Sequence, residues 1–112
     1  MIILDYRLKR NSDFEKIFSV GKRSFSKSMT VLYMPSKDLK IGYSVSKKHG
    51  NAVTRNRIKR LLRAAVRQEV GKIVGNYHIV LVPKKREEYS YNVFLSDLKN
   101  ILARENLLGD NK

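Results

Sequence analysis

The strongest constraint on the fold is a basic stretch near the middle of the chain. Residues 39–68 contain no acidic residue and nine basic ones. At about 100° per residue, aliphatic side chains in its second half share one arc, at the spacings of three and four that a core-facing helix requires. These side chains are Ile58, Leu61, Leu62, Ala65 and Val66. The stretch therefore predicts an amphipathic helix that buries an aliphatic face in a larger domain.

A second arc of the same helix is basic. It carries Arg55, Lys59, Arg63, Arg67 and Arg60, with Asn56 near its middle. Like charges four residues apart disfavour an isolated helix by roughly a few tenths of a kcal/mol per pair, and no nearby acidic residue offsets this repulsion. A charge run alone usually indicates a solvated face, but the uncompensated row beside an aliphatic arc predicts a surface for a polyanion.

Length and charge narrow the class of protein. The 112 residues suit one domain, which we expect to span 1–112 with an irregular basic arm at 1–11 and a frayed tail at 109–112. The net charge of +14 favours a nucleic acid as the partner, with an anionic membrane surface as the rival. The longest apolar run, residues 79–82, is too short to span a bilayer. Absent cysteine and a start unlike a signal peptide favour a cytoplasmic protein.

The first half of the chain predicts a helix followed by three strands. Residues 12–15 have the spacing of a capping box that starts a helix, and Gly21 is a natural stop. A short strand over 22–26 precedes a strand over 28–35, where side chains alternate with period two. Residues 40–46 alternate in the same way, and we expect this strand to pair with 28–35 as an antiparallel hairpin.

The second half predicts helix, strand and helix. Asn51 is the expected N-cap of the basic helix, which should reach about Val70. Residues 77–83 are almost continuously apolar, which predicts a strand in the interior of a sheet. Ser90 can cap a last helix, whose side chains recurring at helical spacing are Val93, Phe94, Leu98, Ile101 and Leu102. These elements predict an α+β sandwich, with a strand-helix-strand crossover that is right-handed in about 98% of such units.

Catalytic chemistry is weakly supplied. The ten acidic residues are scattered, and no pair within the basic region has the spacing of a metal site or an acid/base pair. His49 and His78 are interpreted first as a polar loop residue and a structural residue, with an RNA contact as the alternative for His49. Phe14, Phe18 and Tyr33 either fill the core or line an open cleft in which single-stranded bases stack.

A family resemblance follows from residues 47–61, KKHGNAVTRNRIKRL. This segment, with GYSVSKK before it and RNRIKRLLR within it, resembles the protein subunit of bacterial ribonuclease P. The opening NSDFEKIF helix, the VLY strand and the last amphipathic helix follow in the order of that family. The resemblance covers nearly the whole chain, and the RNR motif has its full context.

The resemblance implies a fold and an activity. The fold is a two-layer αβββαβα sandwich similar to the second domain of a small-subunit ribosomal protein, with a left-handed crossover through the RNR helix in place of the right-handed one. The holoenzyme is an endoribonuclease that removes the 5′ leader from precursor tRNA. A catalytic RNA with bound magnesium performs the hydrolysis, so that this chain would be its non-catalytic subunit.

By matching positions, the resemblance also implies site residues. The residues that would contact the catalytic RNA or order its metal ions are Arg55, Asn56, Arg57, Lys59, Arg60 and Arg63. The basic arc of the same helix adds Arg67 to this set. Phe14, Phe18 and Tyr33 would line the cleft for the single-stranded leader, together with Lys48. No metal ligand in this chain is assigned.

Two other functions fit the same charge. A structural ribosomal protein would use the same fold and would co-sediment with ribosomal subunits. A double-stranded DNA binder would insert the basic helix into a major groove, but the wide core-facing arc and the arginine row suit phosphates better. Neither DNA nor a membrane is therefore an expected partner.

Overall fold

The computed structural model describes residues 7–86 and 88–108. Three helices, α1 (Asn11–Val20), α2 (Ala52–Glu69) and α3 (Tyr91–Arg104), accompany four strands, β1 (Lys22–Phe25), β2 (Met29–Pro35), β3 (Lys40–Tyr43) and β4 (Tyr77–Pro83). The order along the chain is αβββαβα, as expected, and the mixed α+β class is confirmed. The expected fraying of 109–112 and the first part of the arm lie outside the described residues.

The order of strands in the sheet differs from the predicted one. The sheet has the order β1-β2-β4-β3, so β2 and β3 are not paired and the expected hairpin is wrong. β4 lies between them, antiparallel to β2 and parallel to β3. The reason is burial, because the apolar β4 is covered on both faces only in the interior of the sheet. Its centre, Ile79, Val80 and Leu81, is fully buried.

The connection from β3 through α2 to β4 joins two parallel neighbours. It is the crossover predicted from the sequence, and its left-handed sense stays a prediction. Among the described residues, no helix is both long and apolar enough to cross a membrane.

Each face of the sheet carries its own core. On one face Met29, Val31 and Tyr33 of β2 pack with the buried sides of α2 and α3. On the other face Leu32 and Val80 pack with Ile17 of α1 and with Leu8. Helices α2 and α3 thus form a full layer, while α1 covers the centre of the opposite face.

Most helix boundaries agree with the sequence, and one does not. Asn51 caps α2 and Ser90 caps α3, each side chain accepting a backbone N–H. Helix α1 begins at Asn11, one residue before the predicted capping box, and its N-cap Arg10 makes no side-chain cap. Ser12 therefore lies inside the first turn, because the amides of Asp13 and Phe14 donate to the Arg10 carbonyl instead.

Gly21 ends α1 for a reason of space. A Cβ at this position would lie 2.6 Å from the Ile17 carbonyl oxygen, whereas real Cβ atoms essentially never approach a heavy atom within 3 Å. The Gly21 N–H donates to that same oxygen at 2.8 Å. The backbone of Gly21 therefore packs directly against the last turn of α1. In α3, Val93 is expected on the buried face but is exposed. It lies in the first turn of the helix, three residues after the N-cap Ser90.

Candidate nucleic-acid interface

The start of α2 is anchored at two points. The Asn51 Oδ1 accepts the Thr54 N–H at 2.9 Å, which caps the helix. In the preceding 3₁₀ turn (Lys47–His49), the His49 Nδ1 accepts the Ser46 N–H, and its Nε2 donates to the Pro83 carbonyl at 2.6 Å. The turn is thereby tied to the end of β4, so His49 is structural here. The sequence pattern did not predict the contact between His49 and Pro83.

The buried side of α2 matches the predicted arc. Ile58, Leu62, Ala65 and Val66 are in the core, and Leu61 is half-buried against it. The opposite side is turned to solvent, where Asn56, Arg57, Arg60, Arg63 and Arg67 are all exposed. Arg55 and Lys59, at the flank of the buried arc, are half-buried. One helix therefore carries both the predicted core stripe and the predicted basic surface.

The basic surface of α2 lacks acidic partners. In the ranges 7–86 and 88–108, Lys72 pairs with Glu69, Arg104 with Glu105, and His78 contacts Asp38, and no arginine or lysine of α2 takes part in these contacts. Its charges are compensated by no carboxylate within the described part of the chain. Such a surface attracts a polyanion at long range and lowers its own repulsion when one binds.

One arginine of α2 contacts β3, and another buries a polar atom without a partner. The Arg63 guanidinium lies over the Tyr43 ring, 5.8 Å from its centroid, in a cation–π contact. Burial raises the pKa of Tyr43 to about 12, so its hydroxyl stays neutral at physiological pH. The Arg55 Nε is buried without a hydrogen-bond partner among the described residues. Tyr43 as the platform for Arg63 was not predicted, although an aromatic residue in a strand just before the basic helix was a usable signal.

The predicted leader cleft needs a correction at Tyr33. Strand β2 alternates, and Tyr33 lies on the face covered by α2 and α3, where it is 6% exposed. Phe14 and Phe18 belong to α1 on the opposite face, so the structure does not bring Tyr33 together with them. The Tyr33 hydroxyl instead donates to Glu105 at the end of α3. The period-two pattern showed which β2 side chains share a face but not which helix covers it.

Phe14 and Phe18 belong to α1, which covers the other face of the sheet only in part. Phe14 is half-buried against the α1-side core, and Phe18, one turn further along α1, is 38% exposed. Gly42 makes room for Phe14, because a Cβ there would lie 2.5 Å from the Phe14 Cζ. Beyond the centre that α1 covers, the facing pair Thr30 and Val82 is only half-buried.

Lys48 lies at the same end of the sheet as this open pair. It is exposed in the 3₁₀ turn that His49 ties to Pro83, the neighbour of Val82. Lys48 and the open pair thus lie at one end of the sheet, and the open pair shares its face of the sheet with Phe14. The arrangement offers ring faces for stacking and a cation for a phosphate.

Metal ligands are not assembled in the described part of the chain, where no group of three or more His, Cys, Asp or Glu residues is suitably placed. His78 is engaged elsewhere, since its Nε2 contacts the Asp38 carboxylate at 2.8 Å. That hydrogen bond lowers the pKa of Asp38 below its ordinary value. His78 is therefore held by a hydrogen bond near the start of β4, which agrees with a structural role.

The fold and these surfaces define a small basic α+β domain with a face for a polyanion. A sequence model of the Ribonuclease P family matches residues 4–106. The chain is 37% identical over 105 residues to the ribonuclease P protein component of Bacillus velezensis, covering 90% of both chains. It is 39% identical over 100 residues to that of Staphylococcus epidermidis, covering 87% of both.

Solved structures agree with this match. The RNase P protein of Staphylococcus aureus superposes with a TM-score of 0.82 at 27% identity, covering 95% of this chain and 100% of that one. The RNase P protein of Thermotoga maritima gives a TM-score of 0.78 at 30% identity, covering 88% and 96%. The chain belongs to the ribonuclease P protein family, the protein subunit of the ribonuclease that acts in tRNA processing.

Proposed function

We propose that this chain binds the catalytic RNA of ribonuclease P through the exposed basic side of α2. The observation that carries this proposal is the absence of any carboxylate partner for the α2 cations among the described residues. Arginine offers forked donors that fit phosphate oxygens, and lysine offers compact charges. The proposed contact residues are Arg55, Asn56, Arg57, Lys59, Arg60, Arg63 and Arg67, with Lys48 at the start of the helix.

The second part of the proposal concerns the substrate. The single-stranded 5′ leader of precursor tRNA would lie on the open end of the sheet, beside Phe14 and Phe18 and near Lys48. Exposure of the Phe18 ring and the half-buried Thr30–Val82 pair support this position. Each stacked base contributes roughly 1 to 3 kcal/mol to such binding. Tyr33 is left out of this cleft because it is buried on the other face.

The chemistry itself is assigned to the RNA. The described residues hold no cluster of metal ligands, and the protein's part is to bind the leader and reduce repulsion between RNA strands. Magnesium, held mainly by the RNA, would supply the Lewis acid for phosphodiester hydrolysis. We further propose that the protein acts in the cytoplasm, with neither DNA nor a membrane as a partner.

A cleavage assay tests the proposal. Precursor tRNA is incubated with the cognate catalytic RNA at low magnesium, with and without the protein. We expect cleavage to depend on the protein there and to become less dependent at high magnesium, because added cations replace the screening. Equal cleavage with and without protein at low magnesium would refute the proposal, as would co-sedimentation in stoichiometric amount with ribosomal subunits.

A matched pair of variants locates the surface. Arg57→Ala with Arg60→Ala removes two exposed cations of α2 and should leave the unfolding curve unchanged, since neither side chain is in the core. Assembly with the catalytic RNA should weaken or require more magnesium. Lys37→Ala with Lys99→Ala removes the same charge from other exposed positions. If both pairs weaken assembly equally, net charge rather than the α2 surface explains the binding.

A further inference from the structure

The two arginines of the RNR motif serve different sides of α2. Residues two apart on a helix are separated by about 200° and do not face each other. The Arg55 Nε is buried, whereas Arg57 is exposed and lines a cavity of about 440 Å³. The two residues are therefore placed to meet different groups of a bound RNA.

Three segments form the cavity beside Arg57. The turn before α2 contributes His49 and Gly50, the first turns of α2 contribute Thr54 and Ile58 as well as Arg57, and the β4–α3 loop contributes Arg86, Glu88 and Tyr89. The three segments are far apart in sequence, and no periodicity links them. The sequence pattern therefore gave no sign that the β4–α3 loop belongs with the RNR helix.

The loop side of this cavity is held in place by its own hydrogen bonds. The Arg86 N–H donates to the Tyr89 hydroxyl at 3.0 Å, and the Arg86 guanidinium reaches the Lys27 carbonyl at 3.4 Å. The Tyr89 ring is half-buried, 6.1 Å from the centroid of the Phe94 ring in the core. An aromatic ring fixed on one side by the core keeps its other part available to a ligand at little entropic cost.

We propose that Arg57, Arg86 and Tyr89 form a pocket for one unpaired nucleotide of an RNA partner. Two guanidinium groups suit a phosphate, since arginine binds phosphate oxygens through paired donors. The Tyr89 ring suits the base, because every base has a face that stacks on an aromatic ring. The Glu88 carboxylate can accept from an amino group of a base. The volume of about 440 Å³ lies in the range of small-ligand sites.

This proposal rests on the proposed function and makes it more specific. It adds the β4–α3 loop to the RNA-binding elements and gives Arg57 a separate task from the rest of the α2 surface. The nucleotide comes either from the catalytic RNA or from the precursor tRNA. Both sources present the same chemistry, a phosphate followed by an unstacked base.

The test uses the holoenzyme reconstituted with its cognate catalytic RNA. Arg86→Ala should weaken RNA binding about tenfold and reduce the slope of log K against log[salt] by about 0.7, as expected for one lost single-strand phosphate contact. Lys99→Ala, an exposed cation on the outside of α3, is the matched control and should change affinity little. Equal effects of Arg86→Ala and Lys99→Ala would overturn the pocket.

Two substitutions of Tyr89 separate stacking from packing. Tyr89→Phe keeps the ring and loses only the exposed hydrogen bond from the Arg86 N–H, so it should bind within about twofold of the wild type. Tyr89→Leu loses the same bond and the ring, and should bind about 5- to 150-fold more weakly, as for one lost stacked base. Equal affinities of the Phe and Leu variants would overturn the stacking assignment. Thermal unfolding of each variant is measured first, and should Tyr89→Leu not fold, the Arg86→Ala comparison decides.

Further measurements identify the RNA that supplies the nucleotide and distinguish failure of the pocket from failure of the proposed function. Loss of affinity for the catalytic RNA alone assigns the nucleotide to that RNA, whereas loss that appears only with precursor tRNA and changes with leader length assigns it to the leader. If Arg60→Ala weakens assembly but Arg86→Ala does not, the pocket is wrong and the proposed function stands. If the wild-type protein neither binds the RNA nor lowers its magnesium requirement, the proposed function itself fails.

Discussion

At the scale of single residues, the aromatic side chains of the protein divide between packing and surface. Tyr33 is buried on one face of the sheet and Phe14 is half-buried on the other, while Phe18 keeps 38% of its surface exposed. A truncated core aromatic costs about 3 to 5 kcal/mol of stability, whereas an exposed side chain costs far less. The exposures therefore separate a binding role from a structural one.

Phe18→Ala is predicted to weaken leader binding with little loss of stability. The side chain is 38% exposed, so the free energy of unfolding should fall by about 1 to 2 kcal/mol, less than for a fully buried aromatic. Losing one stacking platform should raise the Kd for a leader-bearing substrate by about 5- to 150-fold. Urea unfolding and substrate titration measure the two quantities. Loss of 3 kcal/mol or more of stability, roughly the cost of a core aromatic, would place Phe18 in the core and refute its cleft role.

Tyr33→Phe is predicted to remove a pH-dependent part of the stability. The hydrogen bond from Tyr33 lowers the pKa of Glu105 below its ordinary value of 4.5. A lowered carboxyl pKa stabilises the native state above the unfolded value, and this stability is lost as the pH falls through the folded value. The wild type should exceed the variant by about 1 to 2 kcal/mol at neutral pH. The difference should shrink below pH 4.5.

The alkaline side of the same comparison has the opposite sign. Burial, followed by the hydrogen bond to Glu105, raises the pKa of Tyr33 to about 12 from 10.0. The neutral hydroxyl therefore stabilises the native state below pH 10, and that stability is lost as the pH rises towards 12. Denaturant unfolding across pH 3 to 12 should show both limbs in the difference between the wild type and Tyr33→Phe, because the contributions of Tyr43 and Asp38 are common to both proteins. Parallel curves for the two proteins would exclude the Tyr33–Glu105 contact as their cause.

At the scale of elements, α2 is the part in which local and tertiary requirements meet. Its aliphatic arc is buried by the sheet and α3, and its basic arc repels itself along one side. Tertiary packing offsets this repulsion, as it supplies most of the stability of helices in proteins. Two of the proposed RNA-contacting residues, Arg55 and Arg57, lie in the first two turns after the Asn51 cap.

Asn51→Ala is predicted to fray these turns. Loss of the cap to the Thr54 N–H should cost about 1 kcal/mol, while Asn51→Ser keeps a capping oxygen and should cost far less. RNA affinity should fall with the Ala variant and recover with the Ser variant, although neither change alters charge. Amide exchange at residues 52–57 and RNA titration provide the measurements. Unchanged exchange in Asn51→Ala would show that the tie from His49 to Pro83 holds the helix start alone.

At the scale of the whole molecule, charge is distributed so that binding is sensitive to salt. The net charge is +14, and the exposed side of α2 lacks carboxylate partners among the described residues. Binding of RNA releases counterions in proportion to the phosphates neutralised, so affinity falls as salt rises. On the proposed function, the surface that would attract the RNA is also the one whose like charges repel each other in the free molecule.

Arg60→Ala with Arg67→Ala is predicted to reduce this sensitivity by a defined amount. Two lost contacts should reduce the slope of log K against log[salt] by about 1.4 on single-stranded RNA and about 1.8 on duplex. Both side chains are exposed, so the unfolding curve should stay the same. Titrations at four salt concentrations give the slope. A lower affinity with an unchanged slope would mean that these arginines act without contacting phosphates.

The sequence by itself determined the order of helices and strands and the amphipathic character of α2. It also indicated the ribonuclease P protein family, through the RNR motif and the residues around it. Periodicity and caps act within a few residues, so Asn51, Ser90 and the buried arc of α2 could be predicted from local pattern. Only the tertiary structure decided that β4 separates β2 from β3, that Tyr33 faces away from Phe14, and that Arg57 meets the β4–α3 loop. Those outcomes depend on which apolar surfaces cover each other, and burial is a property of the assembled chain rather than of any segment.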